Sequence, residues 1–127
     1  MTILRQALDK LQLTNFHATA ARTATGSTTG VDVQAREGDL YLVLDSAAGT
    51  GTTPTLDVTV ESSDTLGGTY TAITGAAFTR VTTTASQQSL TISKDEARRF
   101  IRVTYTVGGT TPSFTFSVNA IGVNKYG

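Results

Sequence analysis

Apolar and polar residues alternate along most of this chain. In "LYLVLDS", Leu40, Leu42 and Leu44 fall on one face, with Tyr41 and Val43 on the other. In "TLDVTVES", Leu56, Val58 and Val60 alternate with Thr55, Asp57, Thr59 and Glu61. "FIRVTYTV" sets Ile101, Val103, Tyr105 and Val107 against Phe100, Arg102, Thr104 and Thr106, and "SFTFSVNAI" repeats the pattern with Phe114, Phe116, Val118 and Ala120. A period of two over five to eight residues is that of a strand with one buried face. Shorter runs, "VDVQAR" (31–36), "YTAI" (70–73), "AFTRVT" (77–82) and "SLTIS" (89–93), fill the intervals. The turn-forming stretches "REGD", "AAGTGTTP", "SSDTLGG", "ITGA", "SKDEAR" and "GGTTP" separate them. Seven or eight short strands at this spacing predict an all-β fold, an antiparallel β-sandwich of jelly-roll-like or Ig-like type.

Two strands open on nearly the same letters, "GTTPTLDVTV" and "GTTPSFTFSV". Neither copy holds a catalytic residue type in a usable setting, so the repetition is architectural. Glycine supplies unusual backbone angles, and proline fixes φ where pairing begins and its missing N–H costs least. The expectation is one Gly-Thr-Thr-Pro hairpin used twice, once per sheet. Internal duplication and chance similarity between Thr-rich hairpins explain the match equally well.

The first thirty residues break the alternation. Ile3, Leu4, Ala7, Leu8 and Leu11 follow helical spacing and predict a short amphipathic helix. "ATAARTATGSTTG" then offers no large apolar side chain, which predicts an extended or flexible connector. The chain thus divides into an N-terminal arm and linker, 1–30, and a sandwich domain, 31–127. A helix this short is marginal in water and needs something to pack on. The arm is therefore expected to dock on a neighbouring subunit, with folding back onto its own sandwich as the alternative.

Composition agrees. Threonine abounds, and its β-branching suits pleated strands. At 127 residues one domain can bury about two-thirds of its unfolded surface, enough for a core without metals or staples. There is no cysteine, which excludes disulfides and cysteine-based zinc sites. Ten basic and ten acidic side chains cancel, so no long-range field favours nucleic acid or an anionic membrane. Arg5, Gln6, Asp9 and Lys10 interrupt the opening residues as they would no signal peptide, and no stretch approaches the roughly 20 apolar residues of a membrane span. Cytoplasmic synthesis is expected.

Candidate chemistry is sparse. His17 has no nucleophile partner, and a lone histidine beside a connector is expected to be solvated. Asp57 and Glu61 share an outward face with Asp64 nearby. Paired carboxylates can hydrolyse glycosides or bind calcium, but a solvated strand face explains them more simply, and no calcium-loop pattern is present. Ser62, Asp64, Gly67, Thr69 and Tyr70 approximate the Asp-box, a hairpin-stabilising device in which Ser and Asp bond the turn backbone. "ARRFIR" places Arg98, Phe100 and Arg102 on one outward face, suited to an acidic protein neighbour or to solvent. The expectation is no enzyme: no catalytic residue, cofactor, metal or small-molecule substrate.

The runs "RTATGSTTGVDV", "LVLDSAAGTGTTPTLDVTVESSDTLGGTYTAI" and "RRFIRVTYTVGGTTPSFTFSVNAIG" resemble a family of small virion proteins of tailed bacteriophages. The resemblance spans roughly residues 20 to 121 and rests on hairpin-building motifs. It implies a capsid decoration (cement) protein, a β-sandwich seated on the shell as a homotrimer. Its partner would be the major capsid protein and its location the virion surface, with neither nucleic acid nor membrane as partner. The residues expected at subunit or capsid contacts are Ile3, Leu4, Leu8 and Leu11 of the arm, with the outward Tyr41, Val43, Phe100 and Arg102. The alternative is a carbohydrate-binding or adhesin module of a tail or fibre. That role needs exposed aromatic platforms, and the chain has no tryptophan.

Overall fold

The computed structural model describes residues 11–93 and 97–124, so Ile3, Leu4, Ala7 and Leu8 of the expected helix lie outside the described residues, while Leu11, its last member, belongs to a strand instead. Eight strands are described: β1 (Leu11–Arg22), β2 (Gly26–Ser27), β3 (Val31–Asp32), β4 (Arg36–Ser46), β5 (Thr50–Ser63), β6 (Thr71–Ala77), β7 (Ser86–Ser93) and β8 (Phe100–Asn124). All pairing is antiparallel, and the two sheets curl into a barrel-like sandwich.

One strand belongs to both sheets. The first part of β8 pairs with β5 on one edge and with β2 and β3 on the other, and β6 extends that sheet beyond β5. The second part pairs with β1 on one edge and β4 on the other, with β7 outside β4. We call these sheet B (β6, β5, β8, β2/β3) and sheet A (β1, β8, β4, β7). The expected face assignments hold: Leu40, Leu42 and Leu44, then Leu56, Val58 and Val60, then Ile101, Val103, Phe114, Phe116 and Val118 are buried between the sheets. Burying such side chains stabilises by about 1.5–3 kcal/mol each.

The inward residues of β8 change parity, from odd numbers up to Tyr105 to even numbers from Phe114. An odd number of extra residues must lie between, and "GGTTP" supplies them. It is not the hairpin turn the sequence suggests, because β8 runs through it. The two Gly-Thr-Thr-Pro copies lie side by side in neighbouring strands, with Thr52 opposite Thr110. Around that pair the register is two-fold: Thr50 faces Ser113, and Thr55 faces Gly108. The backbones match as well. Gly51 and Gly109 have φ of 107° and 112°, and Thr53 and Thr111 have φ of 47° and 46°. Each of these threonine hydroxyls donates to the preceding carbonyl at 2.8 Å, a local bond that favours a left-handed conformation otherwise rare for a β-branched residue. A Cβ on Gly51 would sit 2.5 Å from the Thr111 carbonyl oxygen, and one on Gly109 2.7 Å from that of Thr53. The repeat is a matched pair of bulges, one device built from both copies.

Residue 30 marks no boundary in this architecture. β1 is a full strand of sheet A, and its Phe16 and His17 are buried. Adjacent residues both point inward because the register slips between Asn15 and His17 and again between His17 and Ala20. The stretch expected to be a connector is held on β8 by threonine hydroxyls. Thr28 Oγ1 accepts from the Val103 amide at 3.0 Å while its own amide donates to the Val103 carbonyl, and Thr25 Oγ1 accepts from the Val107 amide at 3.1 Å. Small polar residues thus stay ordered without burying an apolar face.

Candidate protein-contact surface

The outward faces of the two sheets determine what this molecule can touch. On sheet B, outward charges are satisfied within the chain. The Arg80 guanidinium donates twice to the Asp57 carboxylate, at 3.1 and 3.0 Å. Arg102 Nε donates to Glu61 Oε1 at 2.8 Å, the Thr104 hydroxyl donates to the same oxygen at 2.7 Å, and the guanidinium of Arg102 covers the Tyr70 ring at 4.1 Å. Arg99 pairs with Asp32 at 2.8 Å and lies over the Phe100 ring at 5.1 Å. Arg98 approaches Asp64 at 3.8 Å. Ion pairing with Asp57 and Asp32 raises the pKa of Arg80 and Arg99, through the hydrogen bond first and the charge second.

These pairings account for the candidate carboxylates. Asp57, Glu61 and Asp64 each have their own arginine, and no group of three potential metal ligands occurs among the described residues. The Asp-box expectation is corrected in detail. Ser63 rather than Ser62 or Asp64 bonds the turn, accepting from the Thr65 amide and donating to the Thr65 carbonyl. Asp64 faces outward to Arg98. Tyr70 completes the turn by donating to the Leu66 carbonyl at 2.8 Å.

Sheet A differs. Leu13 of β1 is opposite Ile121 of β8, which is opposite Tyr41 of β4. All three are exposed, Leu13 at 65 %. Leu11, at the start of β1, extends the row as a fourth exposed apolar residue. The next row across the sheet is polar at its edge: Asn15 Nδ2 donates to Asn119 Oδ1 at 2.7 Å, and Val43, half-buried, faces Asn119. Sheet A therefore presents an apolar ladder bordered by amides, with no ion pair over it among the described residues. A scattered exposed leucine is ordinary, whereas a contiguous apolar row on a β-face marks a contact site.

Of the expected contact residues, Leu11, Tyr41 and Val43 fall on this face. Phe100 and Arg102 lie on sheet B, each already engaged by its own chain. Leu13 and Ile121 were missed, although the inward assignment of Ala120 makes Ile121 outward by alternation.

His17, expected to be solvated, is buried at the seam between β1 and β8. Its ring stacks on Phe116 with centroids 4.1 Å apart and meets Tyr105 edge-on at 5.4 Å. Arg22 Nε donates to His17 Nε2 at 2.9 Å, which makes Nδ1 the protonated nitrogen, donating to the Phe116 carbonyl at 3.1 Å. Burial, and secondarily the Arg22 charge, hold its pKa below the usual histidine value. It is a neutral structural histidine.

No protein-family model matches this chain, and no curated protein is similar to it in sequence. Solved structures share its fold. The infectious bursal disease virus VP2 subviral particle is 14 % identical with a TM-score of 0.54, over 90 % of this chain and 32 % of VP2. The PBSX exported protein XepA is 18 % identical with a TM-score of 0.60, over 90 % of this chain and 38 % of XepA. The CBM22-1–GH10 modules of a Clostridium thermocellum xylanase, solved with xylohexaose, are 12 % identical with a TM-score of 0.52, over 95 % of this chain and 27 % of theirs. The chain thus spans about a third of each of these proteins. At such identities the likeness is one of fold.

Proposed function

We propose that this chain is a bacteriophage virion structural protein, a capsid decoration protein that clamps neighbouring major capsid protein subunits as a homotrimer. It does so by burying surface, with no chemistry of its own. The observation that carries this reading is the Leu13–Ile121–Tyr41 row of sheet A, exposed while the opposite face is covered by its own ion pairs. The fold supports it in kind, being shared with the infectious bursal disease virus VP2 subviral particle and with the PBSX exported protein XepA. Shell stabilisation follows from area: an interface of the obligate class buries on the order of 2,000 Å² or more, and rupturing the shell must re-expose it.

The fold is also shared with a module pair solved with a xylo-oligosaccharide, but sugar binding needs aromatic platforms. Among the described residues, Tyr41 is the one exposed aromatic; Tyr70 lies under Arg102 and Phe100 under Arg99. Protein contact is the better reading.

The test combines sedimentation of the purified protein with binding to capsids assembled from the phage's major capsid protein. Wild type is expected to sediment as a trimer and to pellet with shells, and Ile121→Glu to do neither while remaining folded. A wild-type monomer that ignores capsids, or an Ile121→Glu protein that still binds them, overturns the proposal.

A further inference from the structure

The two seams of the sandwich are closed differently. Where β7 of sheet A passes the segment after β6, the Gln88 side chain clasps Thr79. Its Oε1 accepts from the Thr79 amide at 2.7 Å, and its Nε2 donates to the Thr79 carbonyl at 2.8 Å. The other seam, between β1 of sheet A and the β2–β3 segment of sheet B, is open. A cleft of about 440 Å³ lies there, lined by Arg22 and His17 on one side and by Ser27, Thr28, Thr29 and Gly30 on the other.

Arg22 stands apart from the arginines of sheet B. Arg80, Arg98, Arg99 and Arg102 each have a carboxylate partner. Arg22 has none among the described residues; its Nε donates to a neutral imidazole, and its guanidinium rests on the Tyr105 ring at 5.5 Å. That arrangement fixes the plane of the guanidinium and leaves both Nη groups without a partner among the described residues. The Ser27 and Thr29 hydroxyls in the same cleft are likewise unengaged there, while Thr28 Oγ1 is committed to Val103. A planar cation held half-buried, beside free hydroxyl donors, matches a carboxylate, which it can bind through two parallel N–H···O bonds. The cleft is of a size for one small ligand or one side chain, at the lower end of the range for such pockets.

We propose that this seam cleft is a carboxylate-binding site, with Arg22 as the residue that binds the anion. The chemistry is the same whether the group belongs to a small organic acid or to an Asp or Glu side chain inserted by a partner protein. The site does not depend on the sheet A reading: each can fail alone.

The test is an NMR titration of the full chain, following the Arg22 Nε–H and the His17 ring. Sodium acetate is one probe and acetyl-Gly-Glu-Gly-amide the other, each set against sodium chloride at matched ionic strength. Both carboxylates should shift the two signals saturably, and chloride should not. Tighter binding of the peptide by about tenfold assigns the site to a protein side chain, and equal binding to a free acid; either supports the site. Arg22→Gln should abolish the response with the backbone amide spectrum otherwise retained. Arg22→Lys, which keeps the charge without the fork, should weaken it by about tenfold and serves if the glutamine variant does not fold. Shifts that rise linearly and equally with chloride, or saturable binding that survives loss of Arg22, overturn the proposal.

Discussion

The outward faces of sheets A and B have the same alternating origin and opposite character. On sheet B the outward residues of β5 from Thr55 to Glu61 and of β8 from Arg102 to Thr106 carry a charge or hydroxyl, and arginines from a neighbouring strand or an adjoining loop neutralise the carboxylates. On sheet A the corresponding positions include Leu13, Ile121 and Tyr41, aligned across three strands. An outward position in a strand says only that the residue leaves its own core. Whether it faces solvent or another protein depends on what the adjacent strands place beside it, and here one face is finished within the chain while the other is not.

Removing Phe116 should collapse both faces together. It is fully buried beneath His17 and Tyr105, so Phe116→Ala should cost about 3–5 kcal/mol in denaturant unfolding. Loss of one face's function without that cost would show that the sheets do not share a core. On sheet B, the two carboxylates should separate. Glu61 is the better buried and serves both Arg102 and Thr104, so Glu61→Gln should cost about 1–2 kcal/mol. Asp57→Ala, in an exposed pair, should cost about 0.5 kcal/mol or less. Equal effects would contradict the account of that face.

His17 gives a pH-dependent probe of the seam behind sheet A. Its folded pKa lies below its unfolded value near 6.5, chiefly because of burial. Below that pH the unfolded chain takes up a proton that the folded chain resists. The stability due to this group is therefore present above about 6.5 and is lost as pH falls below it, at up to about 1.4 kcal/mol per unit. Unfolding measured between pH 7.5 and 5 should show this slope in wild type and not in His17→Gln. The smallest effect on folding belongs to the face proposed for assembly. Tyr41→Glu should change monomer stability by about 0.5 kcal/mol at most while removing self-association. A destabilisation of several kcal/mol would instead make that row part of the molecule's own core.

β4, β5 and both parts of β8 were legible because their alternation is unbroken wherever one face meets the core. β1 was not. Its two register slips send Phe16 and His17 inward together, which erases the period of two, and the helix-spaced residues before it suggested a separable arm. Deleting residues 1–29 would remove Phe16 and His17, buried side chains of the sandwich, so the fold should not survive that truncation. β3 lies within the run 31–36 read as a strand, though only Val31–Asp32 pair; β2 gave no signal because threonine hydroxyls and the free edge of β8 hold it, neither of which requires an apolar pattern. "GTTP" was visible as a repeat but misread, since a left-handed threonine is not what Gly and Pro advertise. Within the site, Tyr41 and Val43 came from alternation, whereas Leu11 was assigned to a helix by its spacing and instead opens a strand. The engagement of Phe100 and Arg102 depends on Asp32 and Glu61, partners distant in the chain that no local pattern reveals.

The sharing of β8 by both sheets has a consequence for biosynthesis. β8 is translated after the five strands it pairs with, β1 to β5. Until it leaves the ribosome, β4 and β5 can pair only with their outer neighbours β7 and β6, and the edges that β8 will fill stay open. Unpaired edges of this kind are where nascent chains aggregate. The 18–30 stretch that waits for β8 is rich in threonine and carries no large apolar side chain, which limits that hazard along part of the open edge. Completion of the fold is thus a late event, set by the release of its last strand rather than by the ripening of its first.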